Sequence, residues 1–184
     1  MSYLVTHQKP KLFDREKLMN AALRALGMRG HSAGELRDKL RRRGSQEDVD
    51  AVMASLKEAG YLDDRQFAEN YAATRLQNHL GKMRVIRDLR QRRVAPNLAQ
   101  QVTEETYCDT NETALIEEFL QRKYRGKQLG TFLADEKNLA SAFRRLRYAG
   151  FSAGASIAAL KQYARTPETL DALESEDGSA PAQD

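Results

Sequence analysis

Three arginine clusters recur along this 184-residue chain: Arg41, Arg42 and Arg43; Arg90, Arg92 and Arg93; and Arg144, Arg145 and Arg147. A guanidinium is permanently charged and forked, so it suits phosphate and carboxylate oxygens better than bond-making chemistry. Each cluster closes a segment of helical periodicity, where a single cation would offset the helix dipole by about 0.3 to 1 kcal/mol. Three per segment exceed that need. Stacked repeats would align them into a stripe able to track phosphates or an acidic protein surface. Arg84 and Arg87 in the second such segment, and Lys123, Arg125 and Lys127 farther on, extend the candidate surface.

No other residues assemble into a reaction centre. Asp63 and Asp64 could suggest an acid/base pair or a metal site, but they lie between Gly60 and a new helical face, where aspartate caps a helix. His7, His31 and His79 lack ligand spacing. Cys108 has no nucleophile motif around it and reads as a buried or incidental thiol. Gly126-Lys127 lacks the glycines of a phosphate-cradling loop. Tyr61, Phe67 and Tyr71 have the spacing of core packing rather than of a base-stacking ladder. The expectation is a protein that is not an enzyme, with no cofactor and no metal.

Composition supports a binding role. The net charge is +4, but residues 166–184 hold six acids (Glu168, Asp171, Glu174, Glu176, Asp177 and Asp184) and no base. The preceding 165 residues therefore carry all 30 basic and 20 of the 26 acidic side chains, a net of +10. Such a body attracts polyanions, and the acidic tail competes for the same surface. One cysteine allows no internal disulfide, and Met1 to Phe13 lacks a signal-like apolar run. No stretch has the roughly 20 apolar residues of a membrane span. The reading is a cytoplasmic protein with no membrane contact.

The elements that must carry the arginines are all helical. Leu18, Ala21, Ala22, Ala25 and Leu26 form one helix face. Ser32 to Glu35 has the form of a capping box before Leu36 and Leu40, and Gly44 is the expected left-handed cap. Ser45 to Asp48 opens a third helix through Val49, Val52, Met53 and Leu56, closed by Gly60. The pattern then recurs. Asp63 or Asp64 starts a helix with Phe67, Tyr71 and Ala72, which Gly81 breaks. Val85, Ile86 and Leu89 mark the next, and Pro96 opens one with Leu98 and Val102. A third round begins after Asp109 or Thr110 with Leu115, Ile116, Phe119 and Leu120. A loop at Gly126 to Asp135 leads to Leu139, Phe143 and Leu146, then Gly150, then Ile157 and Leu160.

A shift of 49 maps Leu18 to Phe67 to Ile116, Ala22 to Tyr71 to Leu120, and Leu40 to Leu89. From its middle helix onward the third round needs a shift of 57, which puts eight extra residues in its loop. Gly44 maps to Arg93 before returning as Gly150. The fold expected is all-α, an elongated curved array of three tandem three-helix repeats: 14–60, 61–107 and 108–165. An N-terminal segment 1–13 precedes them, and an acidic, disordered tail 166–184 follows.

Leu56-Lys-Glu-Ala-Gly-Tyr-Leu-Asp-Asp-Arg-Gln-Phe-Ala-Glu-Asn-Tyr71 resembles the stretch joining the first two repeats in the RecX family, bacterial regulators of the recombinase RecA. Ser32 to Leu40 with Gly44, Arg75 to Gly81, Arg84 to Leu89, Lys123-Tyr-Arg-Gly126 and Gly150-Phe-Ser152 are similar to other family segments, so the likeness covers residues 17–163. Arg93 departs from it, since a glycine is expected there. The resemblance implies a non-catalytic monomer lodged in the groove of the RecA–DNA filament. It implies restraint of RecA's ATP hydrolysis and strand exchange in DNA repair, recombination and the SOS response, with nonspecific electrostatic binding to single- and double-stranded DNA. All fourteen basic residues above are the candidate contacts. The rival reading is a helix-turn-helix DNA-binding protein, which would need Asn or Gln on an exposed helix face to read base edges, whereas this surface is nearly all arginine.

One expectation concerns the tail. Deleting Thr166 to Asp184 should leave the thermal midpoint unchanged and strengthen nonspecific DNA binding at low salt, as measured by anisotropy of a labelled oligonucleotide. Weaker binding or early melting would give the tail a structural role.

Overall fold

The computed structural model describes residues 12–164. They form ten helices in the order α1 (Arg15–Met28), α2 (Ala33–Arg41), α3 (Gln46–Glu58), α4 (Asp64–Gln77), α5 (Lys82–Gln91), α6 (Pro96–Thr106), α7 (Glu112–Lys123), α8 (Leu129–Leu133), α9 (Glu136–Ala149) and α10 (Ala153–Leu160). Among the described residues there is no strand, and a single isolated bridge joins Phe13 to Gly44. None of the described helices is long and apolar enough to cross a membrane. The fold is all-α, in tandem three-helix repeats. The acidic tail and all but the end of the N-terminal segment lie outside the described residues.

Two compact units divide the chain. Among the described residues, one runs to Phe67 and includes Arg92–Val94, and the other comprises Ala68–Gln91 and the residues from Ala95 to Ala164. In the first, α1, α2 and α3 pack mutually around Leu18, Leu36, Leu40, Val49, Val52 and Leu56, all essentially buried. In the second, α5 packs on α6, α10 lies against both α7 and α9, and α5 meets α9. Leu89, Ile116, Leu120, Leu139, Leu146 and Phe151 are buried there.

Caps decide where the helices start. Ser32 Oγ accepts from the Glu35 amide at 3.0 Å, and Ser45 Oγ from that of Asp48 at 3.1 Å. Pro96 opens α6 as expected. The two aspartates share the capping work: Asp63 accepts from the Gln66 amide at 3.0 Å, while Asp64 reaches across to the Ala33 amide of α2 at 2.7 Å. The cap of α7 is Asn111, beyond the Asp109 or Thr110 of the sequence reading, because its Oδ1 reaches both the Thr113 and Ala114 amides.

Chain reversals correct several other expectations. Gly60 and Gly150 adopt left-handed backbone at φ 74° and 93°, but Gly44 does not. A Cβ at Gly44 would collide with the Leu18 side chain, so this glycine serves close packing rather than a turn. Gly81 likewise does not end α4. His79 does, at φ 55°, with the Leu80 amide returning to the Arg75 carbonyl at 3.0 Å. Arg93 stands at φ 62° and adopts the conformation that a glycine would take at no steric cost. The loop from Gly126 to Asp135 contains α8, because Leu133 is buried and Phe132 packs on Tyr124 with ring centroids 5.0 Å apart. Tyr61 is 60% exposed, so core packing fails for it, while Phe67 and Tyr71 are half-buried. Cys108 is exposed.

Gly81 and Gly150 carry a close backbone contact within the second unit. The Gly81 amide donates to the Ala149 carbonyl at 2.9 Å and the Met83 amide to the Gly150 carbonyl at 3.1 Å. A Cβ on Gly81 would meet the Gly150 backbone, and one on Gly150 the backbone of Arg84. Gly81→Ala should therefore cost about 1 to 3 kcal/mol, since backbone cannot move aside as a side chain can. At Arg93 the left-handed turn should tolerate glycine and lose about 1 to 2 kcal/mol with valine. Thermal or urea unfolding of the variants checks both, and a neutral Gly81→Ala would refute the contact.

Candidate functional site

The fourteen basic candidates fall into two groups according to what their charges touch. In the first unit, Arg41 and Arg42 at the end of α2 are exposed and have no partner among the described residues. Arg43 lies with its guanidinium carbon 5.8 Å from the Phe13 ring centre. Arg92 and Arg93 are engaged by α2: Arg92 Nη1 is 3.4 Å from Glu35, and Arg93 Nε is 3.1 Å from Asp38. Ser32 Oγ also donates to the Arg92 carbonyl. Glu35 additionally receives Arg29 at 2.7 Å. Burial alone would raise the Glu35 carboxyl, but the Arg29 hydrogen bond and the Arg92 charge hold it below its ordinary range.

In the second unit, Arg90, Lys123, Arg125, Arg144 and Arg145 are exposed and make no hydrogen bond or ion pair among the described residues, though the Arg145 charge acts on Tyr124. The others are tied down. Arg147 donates to the Phe151 carbonyl and braces the turn at Gly150. Lys127 sits 3.8 Å from the Phe132 ring centre. Arg84 Nε lies 2.9 Å from Asp88, whose side chain is only 13% exposed. Asp88 in turn accepts from the Tyr71 hydroxyl at 3.0 Å, and Arg75 donates to that hydroxyl at 2.8 Å.

This chain of contacts ends on a residue that the sequence reading passed over. Tyr148 projects from α9 at 70% exposure, with Arg84 and Arg87 carbons 4.8 and 5.7 Å from its ring centre. Arg84, and after it Arg87, holds the Tyr148 hydroxyl below its ordinary range. A signal did exist: position 148 falls off the buried face made by Leu139, Phe143 and Leu146 and shares a face with Arg144 and Arg145. The second surface that sequence reasoning missed is an open cleft of about 450 Å³ in the first unit. It is lined by Phe13, Ala21, Ala25 and Met28 among Lys17, Arg24, Lys39 and Arg43.

Chemically, the site is a set of fixed and free cations with one displayed aromatic ring. Among the described residues no group of three or more His, Cys, Asp or Glu side chains could hold a metal ion. The arrangement can bind anions and π-faces.

The chain as a whole is similar to known proteins. Residues 19–56 match the family model for the first three-helix domain of RecX, and residues 63–102 that for the second. A regulatory protein RecX of Vibrio parahaemolyticus is 31% identical over 146 residues, which cover 79% of this chain and 88% of that protein. One from Halorhodospira halophila is 39% identical over 95 residues, and there the chain spans only 59% of the relative's length. The crystal structure of RecX from Lactobacillus salivarius superposes with a TM-score of 0.63 over 82% of this chain and 96% of that one, a likeness of fold at 20% identity. These relatives are named as regulatory proteins.

The division of cations has a stability signature. Arg84→Ala should cost about 1 to 3 kcal/mol, because it leaves the mostly buried Asp88 carboxylate short of a partner. Arg144→Ala or Arg41→Ala should stay within about 0.5 kcal/mol. Equal losses in denaturant unfolding would show that the two groups are not distinct.

Proposed function

This chain belongs to the RecX family, and on that premise we propose that it regulates RecA, mainly as an inhibitor, by binding the RecA–DNA filament without catalysis of its own. The observation that carries the reading is the set of exposed arginines without partners at the carboxyl-terminal parts of α2, α5 and α9. At the ends of α2 and α9 capping does not require them, because the turns there are closed by backbone hydrogen bonds and, at α9, by Arg147. A filament of protein on DNA offers both phosphates and carboxylates, the two groups that guanidinium binds best.

Binding on this reading is electrostatic in its long-range part, so it weakens as salt rises. The three repeats 14–60, 61–107 and 108–165 would each contribute one cluster, Lys123 and Arg125 would add to the third, and the acidic residues 166–184 would compete with the filament for this surface. The protein would act in the cytoplasm as a monomer, in recombination and DNA repair, holding down ATP turnover and strand exchange.

The direct test is ATP hydrolysis by RecA on single-stranded DNA, titrated with the purified protein. Turnover should fall with increasing protein, and the effect should be weaker at high salt. Turnover indistinguishable from buffer across a wide concentration range would sink the proposal.

A further inference from the structure

Tyr148 combines high exposure with unusual restraint. Its backbone carbonyl accepts from Arg87 at 3.2 Å, and Arg84 is fixed beside it by Asp88. Both guanidiniums come from α5, so they approach the ring from the side of that helix. A ring covered on both faces could not remain 70% exposed, so its outer face is open to solvent. One turn back on α9, at i−4 and i−3, stand the exposed Arg144 and Arg145, neither held in an ion pair among the described residues.

A ligand that uses all of these features needs a flat π-face and negative charge close beside it. A carboxylate side chain would satisfy the arginines but leave the ring unused. Duplex DNA offers phosphates but keeps its base faces stacked away. An unpaired nucleotide has both, and every base has a π-face that an aromatic side chain can stack on. Cations behind the ring do not block that stack. They hold the platform still, which reduces the ordering that binding would otherwise demand.

We propose that Tyr148 is a stacking platform for one unpaired base of a single strand, with Arg144 and Arg145 gripping the flanking phosphates and Arg84 and Arg87 backing the ring. This deepens the filament-binding reading by naming the part of the nucleoprotein that this patch takes. The ligand is the strand, not the recombinase.

The chain has no tryptophan, so Tyr148→Trp places a single selective fluorophore on the platform. Its emission should be quenched by an oligothymidylate and far less by an abasic strand of the same length and charge. Tyr148→Ala should weaken oligothymidylate binding roughly 5- to 150-fold, the range of one base–aromatic stack, with an unchanged circular dichroism spectrum and melting point. Tyr148→Phe should bind like wild type, because stacking needs the ring and not the hydroxyl. Equal quenching by the abasic strand, or unchanged affinity in Tyr148→Ala, would overturn the proposal. So would a Tyr148→Ala protein that binds the strand normally but has lost its hold on RecA, since the patch would then be a protein contact. RecA is absent from the binding and quenching measurements, so failure of the RecA reading in the ATP-turnover assay leaves their result intact, and the reverse also holds.

Discussion

The amides at the very start of α5 and just before it precede any acceptor of their own helix, and a buried helix start without partners is costly. Two of them, at Gly81 and Met83, find acceptors in the Ala149 and Gly150 carbonyls at the end of α9. Orphan donors meet orphan acceptors, and the positive end of one helix dipole faces the negative end of the other. The approach is close enough that neither Gly81 nor Gly150 can carry a Cβ. The first unit uses a related device: at the start of α2, Ser32 donates to the Arg92 carbonyl, and Gly34 leaves room for Arg93, which turns through left-handed backbone.

From these contacts the rest of each unit takes its position. The turn at Gly150 seats Phe151 in the core, edge-on to Phe119 with ring centroids 5.6 Å apart. It also brings Arg84 and Arg87, one turn apart on α5, over Tyr148. In the first unit, Arg92 and Arg93 meet Glu35 and Asp38 while Val94 is buried behind them. Engaged and unengaged arginines thus stand side by side within each cluster. Arg147 braces a turn, whereas Arg144 and Arg145 on the same helix make no hydrogen bond or ion pair among the described residues.

Much of this was legible in the residues. Apolar periodicity placed the helices, because burial of one face is what holds short helices together. Ser32, Ser45 and Pro96 marked their starts through local chemistry that needs no tertiary context. What escaped was decided by packing between segments distant in the chain. Glycine at 44 and 81 suggested turns, but both serve as clearance, for the Leu18 side chain and the Gly150 backbone. The turn that Gly81 suggested falls at His79 instead, and the end of α5 turns through Arg93, where no glycine marks it. Which arginines of the second cluster stay free depends in the same way on Glu35 and Asp38, carboxylates that only folding brings near. Tyr148 was hidden because an aromatic residue in a helical pattern suggests core, although its register lies off the buried face.

The central claim is that the unengaged arginines recognise the RecA–DNA filament and do not hold the protein together. Its most direct measurement is the affinity of a variant with Arg41, Arg42, Arg90, Arg144 and Arg145 all replaced by alanine for RecA filaments formed on single-stranded DNA, alongside its melting curve. Near-native melting with much weaker and less salt-dependent filament binding is the expected result. Native affinity in the well-folded variant would contradict the claim and leave those arginines as solvating charges only.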